Sequence, residues 1–305
     1  MSHHVIEVSN LYKRYGKLVA VDNLSFSVEE GEIFGMVGPN GAGKTTTIEC
    51  IEGLRTADGG DIRLIGMDPS KEHNQLVKEM GIQLQESGLP PRLRVGEALD
   101  LFASFYTASA DPELLLETLG LTDKRRSPFA KLSGGQKQRL FIALSLINNP
   151  KIVFFDELTT GLDPQARRVM WSLVREIRDR GVTVFLTTHF MEEAEQLCDR
   201  VLIIDHGRLV ALDTPEALIQ SLGMDKRLIF TLPEGAVVDG LEDIPQVEQV
   251  ERSGNRLMVY GGGARFASAV ITELENQGLD FLDLRTQQPT LEDVFLALTG
   301  REIRE

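Results

Sequence analysis

The stretch Gly38-Pro39-Asn40-Gly41-Ala42-Gly43-Lys44-Thr45-Thr46 fits the pattern G-x-x-x-x-G-K-[ST]. Each residue type in it suits phosphate. The glycines let backbone N–H groups approach phosphate oxygens where a side chain would stand in the way. Lys44 brings a full positive charge to the β- and γ-phosphates, the Thr45 hydroxyl can ligate a Mg²⁺ that bridges them, and Thr46 adds a donor. A second reactive pair, Asp156-Glu157, ends the apolar run Ile152-Val153-Phe154-Phe155. Carboxylates there are costly to bury without partners. They suit a metal, held by Asp156 directly or through water, and a water molecule activated by Glu157. His189 follows another apolar strand, and a lone histidine serves structure as readily as chemistry.

These groups need elements that bring them together. Ile33 to Val37 reads as a strand and the segment after Lys44 as a helix, so free N–H groups and the positive dipole end point at the loop. In an open α/β sheet, ligands bind beyond the carboxyl ends of the strands. The phosphate loop, Asp156-Glu157 and His189 all leave such ends. Ser133-Gly134-Gly135-Gln136 precedes a helix expected from Lys137 to Ile147; it reads either as an ordinary serine cap or as a further anion site. Asp163-Pro164 opens a helix running to about Arg178.

The remaining pattern alternates strands and helices. Val5 to Val8 and Leu18 to Val28 read as strands, with Tyr12 to Gly16 as a turn between them. Tyr15 on that turn can stack on a purine ring or pack on its neighbours, and residue chemistry favours packing. A polar helix is expected over Ser70 to Glu79 and a strand from Gly81 to Gln85. Helices over Val95 to Tyr106 and Pro112 to Leu119 make residues from about 86 to 148 a largely helical insertion. Arg200 to Ile204 and Gly207 to Leu212 complete a first domain, placed at residues 1–222.

Residues 223–305 form a second, smaller α+β domain in this reading. Its strands are Arg227 to Leu232, Val247 to Arg252, Arg256 to Tyr260 and Leu279 to Arg285, with a helix over Ala264 to Gln277. The last helix carries an apolar stripe, Leu291, Val294, Phe295 and Leu298, at i, i+3, i+4 and i+7. No catalytic constellation is visible here.

Composition narrows the function classes. A chain of 305 residues, 42% hydrophobic, holds a full α/β core and a second domain. Its net charge of −14 argues against nucleic acid as a partner, since that affinity comes from clustered Lys and Arg. Cys50 and Cys198 give neither a disulfide framework nor zinc-type spacing, which fits a reducing cytoplasm. No run reaches the roughly eighteen apolar residues that span a bilayer, so work at a membrane is expected to go through a partner.

Taken in order, the phosphate loop, Gln85, Leu132-Ser133-Gly134-Gly135-Gln136, Asp156-Glu157, Leu162-Asp163 and His189 resemble the nucleotide-binding subunits of ABC transporters over about residues 4–220. The resemblance implies a P-loop NTPase fold of ABC ATPase type with a helical insertion. It implies ATP and Mg²⁺ as ligands. Tyr15 then corresponds to the aromatic that stacks on adenine, reversing the packing reading, and Val21 to the apolar residue near the nucleotide. Gln85 resembles the residue that senses metal and water, joining Thr45 and Asp156 around the cation. Ser133, Gly134, Gly135 and Gln136 resemble the signature that closes on ATP held by a second subunit, with Asp163 communicating across the dimer. Glu157 matches the catalytic base and His189 the contact to the γ-phosphate.

Leu158 departs from the pattern, where the family usually has proline; no reacting group is lost. Phe34-Gly35-Met36-Val37-Gly38, Thr159-Thr160-Gly161-Leu162-Asp163-Pro164 and Phe190-Met191-Glu192-Glu193-Ala194 resemble ATPases of bacterial drug-resistance and sodium-type exporters. Those work with a separate multi-spanning permease. The expectation is therefore a homodimer with two ATP at its interface, cytoplasmic and peripheral on the inner membrane face, with no nucleic acid bound. The rival is a soluble relative that remodels nucleic acid or ribosomes, which usually carries two ATPase units or long coiled coils.

Overall fold

The computed structural model describes residues 4–83, 88–222, 226–233, 235–236, 238–263 and 265–300. They divide into two compact units, the first ending at Pro215 and the second beginning at Glu216.

The first unit starts with a long hairpin, β1 (His4–Tyr15) and β2 (Leu18–Glu29). Register shifts between Val8 and Lys13 and the positive φ of Asn10 mark bulges. The expected turn over Tyr12 to Gly16 is therefore mostly strand; only Gly16 and Lys17 turn the chain. β3 (Ile33–Val37) leads into α1 (Lys44–Ile51), and β4 (Gly59–Leu64) joins β1 and β2 in a three-stranded antiparallel sheet.

The polar helix expected over Ser70 to Glu79 shrinks to α2 (His73–Leu76). Asp68 takes the Ser70 amide and hydroxyl, and tight turns follow through Lys78 and Glu79, so helical bonding is short of partners. β5 (Met80–Gln83) precedes the helical insertion, α3 (Val95–Ala103), α4 (Pro112–Thr118) and α5 (Gly134–Ser145). α5 begins three residues before the expected Lys137 because Ser133 caps it and both glycines are already helical.

β6 (Ile152–Asp156), α6 (Pro164–Asp179), β7 (Thr183–Thr188), α7 (Met191–Leu197), β8 (Arg200–Asp205) and β9 (Arg208–Asp213) complete the unit. The six-stranded sheet runs β5-β6-β7-β3-β8-β9, parallel except for the last pair. β3, β6 and β7 are buried along their whole length, which their near-continuous apolar runs require. Phe26 of β2 stacks on Phe34 of β3, and Phe34 on Phe185 of β7, joining the two sheets through one aromatic core.

The chain passes into the second unit at the start of α8 (Pro215–Gln220). The second unit holds β10 (Lys226–Thr231), β11 (Val247–Ser253), β12 (Arg256–Gly261), α9 (Phe266–Asn276), β13 (Leu282–Gln287) and α10 (Leu291–Thr299). Its sheet order is β11-β12-β10-β13, and Phe230, Val259, Phe266, Val270 and Leu274 lie in its core. On α10, Leu291, Val294 and Phe295 are buried while Leu298 is 49% exposed, so the apolar stripe is one residue narrower than expected. Among the described residues no helix is long and apolar enough to cross a membrane.

Candidate functional site

β3, β6 and β7 are neighbours in the sheet and parallel, so their carboxyl ends share one edge. From that edge come the loop 38–43, the pair Asp156-Glu157 and His189. Two of the loop's glycines, Gly38 and Gly43, are set by close backbone approach. A Cβ on Gly38 would lie 2.3 Å from the Ile204 carbonyl oxygen. One on Gly43, whose φ is +106°, would lie 2.4 Å from the Ala20 carbonyl oxygen. Thr47 Oγ1 donates to the Gly43 carbonyl at 2.9 Å and fixes the start of α1.

Lys44 is buried, with Nζ donating to the carbonyls of Gly38 at 2.8 Å and Pro39 at 3.1 Å and lying 3.9 Å from Glu157 Oε1. Burial pulls its ammonium below the ordinary lysine value, and the carboxylates of Glu157 and Asp156 oppose that. Thr45 and Asn40 are exposed on the loop, Pro39 and Thr46 half-buried, Gly41 exposed and Ala42 buried. Thr45 Oγ1 stands 3.5 Å from Asp156 Oδ2. Burial raises the Asp156 carboxyl above its usual value, opposed by a hydrogen bond from Thr187.

Thr187 was not singled out in the sequence, yet it joins both carboxylate residues. Its hydroxyl donates to Asp156 Oδ1 and accepts from the Glu157 amide at 3.2 Å. Glu157 has a φ of +51°, uncommon for a residue with a Cβ. Such backbone positions persist where the surroundings hold them, and they concentrate at functional sites. His189 Nδ1 lies 3.3 Å from Glu157 Oε1, and the Thr160 hydroxyl donates to Glu157 Oε2 at 3.4 Å.

Behind the edge, Glu193 is 2% exposed and accepts from Trp171 Nε1 at 3.0 Å. Burial raises its carboxyl above the usual value, against the hydrogen bond from Trp171. It ties α6 to α7, the helices that follow Glu157 and His189. Only charge at an apolar helix position could have flagged it in the sequence.

The other expected residues lie elsewhere. Gln85 falls outside the described residues. Tyr15 is exposed at the end of β1, with the Arg55 guanidinium 5.2 Å and the Lys13 ammonium 5.6 Å from its ring centroid. Val21 is fully buried in the core, although the neighbouring Ala20 carbonyl touches the phosphate loop. Ser133 and Gly134 are exposed, and Gly135 and Gln136 are half-buried. Ser133 and Gln136 form a reciprocal cap, the Gln136 amide donating to Ser133 Oγ at 3.3 Å and the Ser133 amide to Gln136 Oε1 at 3.0 Å. The serine cap and the anion site are thus compatible, because Ser133 keeps its own O–H free to donate. Asp163 caps α6 by accepting from the Ala166 amide at 2.8 Å.

A phosphate-type loop with a buried lysine, facing an Asp-Glu strand end across a parallel sheet, is the architecture of a P-loop ATPase. The comparisons with known proteins refine this. The ABC transporter family model matches residues 21–160. The protein named Nod factor export ATP-binding protein I from Ralstonia nicotianae is 40% identical over 311 residues, covering 99% of this chain and 95% of that one. A solved ATP-binding subunit of an ABC transporter shares 28% identity over 72% of this chain and 93% of its own, with a TM-score of 0.65. A dimeric ATP-binding cassette in a post-hydrolysis state, bound to ADP and Pi, shares 25% identity over 68% of this chain and 98% of its own, with a TM-score of 0.62. The chain belongs to the ATP-binding subunits of ABC transporters and is an ATPase.

Proposed function

We propose that this chain is the ATP-hydrolysing motor of a membrane exporter, working as a two-fold dimer that encloses two ATP molecules. The observation that carries the reading is the convergence of Lys44, Thr45, Asp156, Glu157 and His189 at one sheet edge. In this reading the amides of Gly38 to Gly43 and the Lys44 ammonium bind the phosphates, with Pro39, Asn40, Gly41, Ala42 and Thr46 completing the cradle. Tyr15 stacks on the adenine and Val21 backs the loop from the core. A two-fold axis lets each exposed Ser133-Gly134-Gly135-Gln136 segment meet the nucleotide of the other subunit, with Asp163 at the seam.

Mg²⁺ fits the donor set. Thr45 Oγ1 and Asp156 Oδ2 are two hard oxygens close enough to share one cation directly or through water. Among the described residues no group of three or more His, Cys, Asp or Glu side chains could hold a metal, so the cation would complete its shell from phosphate and water. When bound, it neutralises charge on the β- and γ-phosphate oxygens. Glu157 orients the attacking water and takes its proton, held in place by Thr187 and Thr160. His189, beside the same carboxylate, contacts the γ-phosphate.

The name of the Ralstonia relative supports export. A separate permease would dock where β5, α3 and α5 leave a groove of about 430 Å³, lined by Val77, Met80, Leu89, Phe102, Tyr106 and Phe141. Its apolar walls fit one amphipathic helix of a membrane partner. The protein then sits on the cytoplasmic membrane face through that partner. Residues 223–305 would stabilise the dimer or add a permease contact, and unchanged dimerisation and transport after truncation near Gly223 would refute that role.

The test is the tagged Glu157→Gln protein with ATP and Mg²⁺. A stable dimer retaining two ATP, and recovery of a multi-spanning protein from solubilised membranes of its own cell, are expected. Hydrolysis at the parental rate would remove Glu157 as base. Recovery of ribosomal or DNA-bound proteins alone would overturn the exporter reading.

A further inference from the structure

The signature helix and the glutamate segment touch inside one chain. Gln138, on the first turn and a half of α5, donates from Nε2 to the Leu158 carbonyl at 2.6 Å. Leu158 is the residue after Glu157 and is 2% exposed. Nearby, a Cβ on Gly135 would meet the Ala166 methyl at 3.8 Å, so the start of α5 rests against the start of α6 as well. Ser133 lies five residues before Gln138, and its reciprocal cap with Gln136 ties it to the same helix end.

We propose that Gln138 is a positioning residue: its amide fixes the Leu158 carbonyl so that docking of the signature segment on one nucleotide sets Glu157 at the other. The inference rests on the two-fold dimer reading. In that dimer Ser133 faces the partner's ATP while Glu157 faces the chain's own. Gln138 is the short side-chain link between the segments that serve two different nucleotides.

The chemistry of the link explains why this side chain suits the place. The Leu158 carbonyl is nearly inaccessible to water, and a buried acceptor left unpaired is costly. Leucine at 158 carries an N–H and a freer φ than proline, so the loop lacks the stiffness a ring would lend it. Thr187 holds Glu157 from the sheet side through its amide. Gln138 holds the following residue from the helix side, and the positive φ of Glu157 is clamped between them.

The test compares Gln138→Glu, an isostere that sets a carboxylate oxygen against the carbonyl, with Gln138→Lys, which restores an N–H donor. Steady-state ATPase activity is measured with ATP-driven dimerisation in the Glu157→Gln background. Gln138→Glu is expected to lower kcat about tenfold with KM within about twofold and an unchanged ATP midpoint for dimerisation. Gln138→Lys is expected to recover most of kcat. If Gln138→Glu leaves kcat unchanged, or if kcat, KM and the dimerisation midpoint all shift together without rescue by lysine, the link is structural only and the proposal falls. If Glu157→Gln alone forms no ATP-dependent dimer, the dimer reading fails first, and the inference goes with it.

Discussion

Lys44 Nζ lies 3.9 Å from Glu157 Oε1 while donating to the carbonyls of Gly38 and Pro39. The cation that would bind phosphate is folded onto its own loop, beside the carboxylate assigned to water activation. Lys44→Ala is expected to weaken ATP binding about 10- to 100-fold, as for loss of a charge-assisted hydrogen bond, measured by calorimetry. Because burial depresses the Lys44 pKa, the ammonium is lost at a lower pH than that of an ordinary lysine. ATP affinity should therefore begin to fall with rising pH before a free lysine would titrate. An alkaline limb identical in the parent and Lys44→Arg would contradict this.

Thr187 bridges Asp156 and the Glu157 amide with a single hydroxyl. Thr187→Val keeps shape and removes both hydroxyl bonds, while the Glu157 amide keeps its bond to the Thr187 carbonyl at 3.1 Å. The expected result is a fall in kcat of about 10- to 100-fold, with ATP affinity changed far less, because the misplaced groups act on the reaction and not on the phosphate loop. Equal losses in kcat and affinity would mean that Thr187 supports the whole edge.

Two glycines of the phosphate loop separate backbone strain from steric exclusion. Gly41 has a φ of +81° with nothing near its absent Cβ, so Gly41→Ala should cost about 1–2 kcal/mol. Gly43 combines its φ of +106° with the Ala20 carbonyl at 2.4 Å, so Gly43→Ala should cost about 1–3 kcal/mol more. Urea unfolding of the two variants measures the difference, and equal values would show that the loop shifts to admit the methyl.

The candidate site was legible because its chemistry is concentrated in contiguous motifs, 38–46, 156–157 and 189 at strand ends and 133–136 at a helix start. The fold class followed from the alternation of buried strands and capped helices. What stayed hidden was set by tertiary contact. Tyr12 to Tyr15 shows no strand alternation, because bulges shift the register, and pairing with β2 makes it strand all the same. Leu298 fits a helical stripe, yet α10 buries only Leu291, Val294 and Phe295. Thr187, Gln138 and Glu193 act through partners 30, 20 and 22 residues away, which no local pattern reports.

Glu52, just past α1, is 2% exposed, and its Oε2 has no hydrogen-bond partner. Burial, with Asp156 and Glu49 adding repulsion, pushes its carboxyl from 4.5 to about 9. The sign follows directly. Below pH 4.5 both the folded and unfolded chains carry the proton, and Glu52 has no effect on stability. Above that value the unfolded chain releases the proton while the folded chain keeps it, so stability falls as pH rises until the folded carboxyl itself ionises near 9. By pH 7 this loss reaches an upper bound of about 3 kcal/mol. Glu52→Gln cannot ionise and should flatten the fall in unfolding free energy between pH 6 and pH 9, converging with the parent toward pH 4.5. Urea midpoints across that range provide the check. A variant whose stability runs parallel to the parent at every pH would show that Glu52 is already ionised in the folded protein.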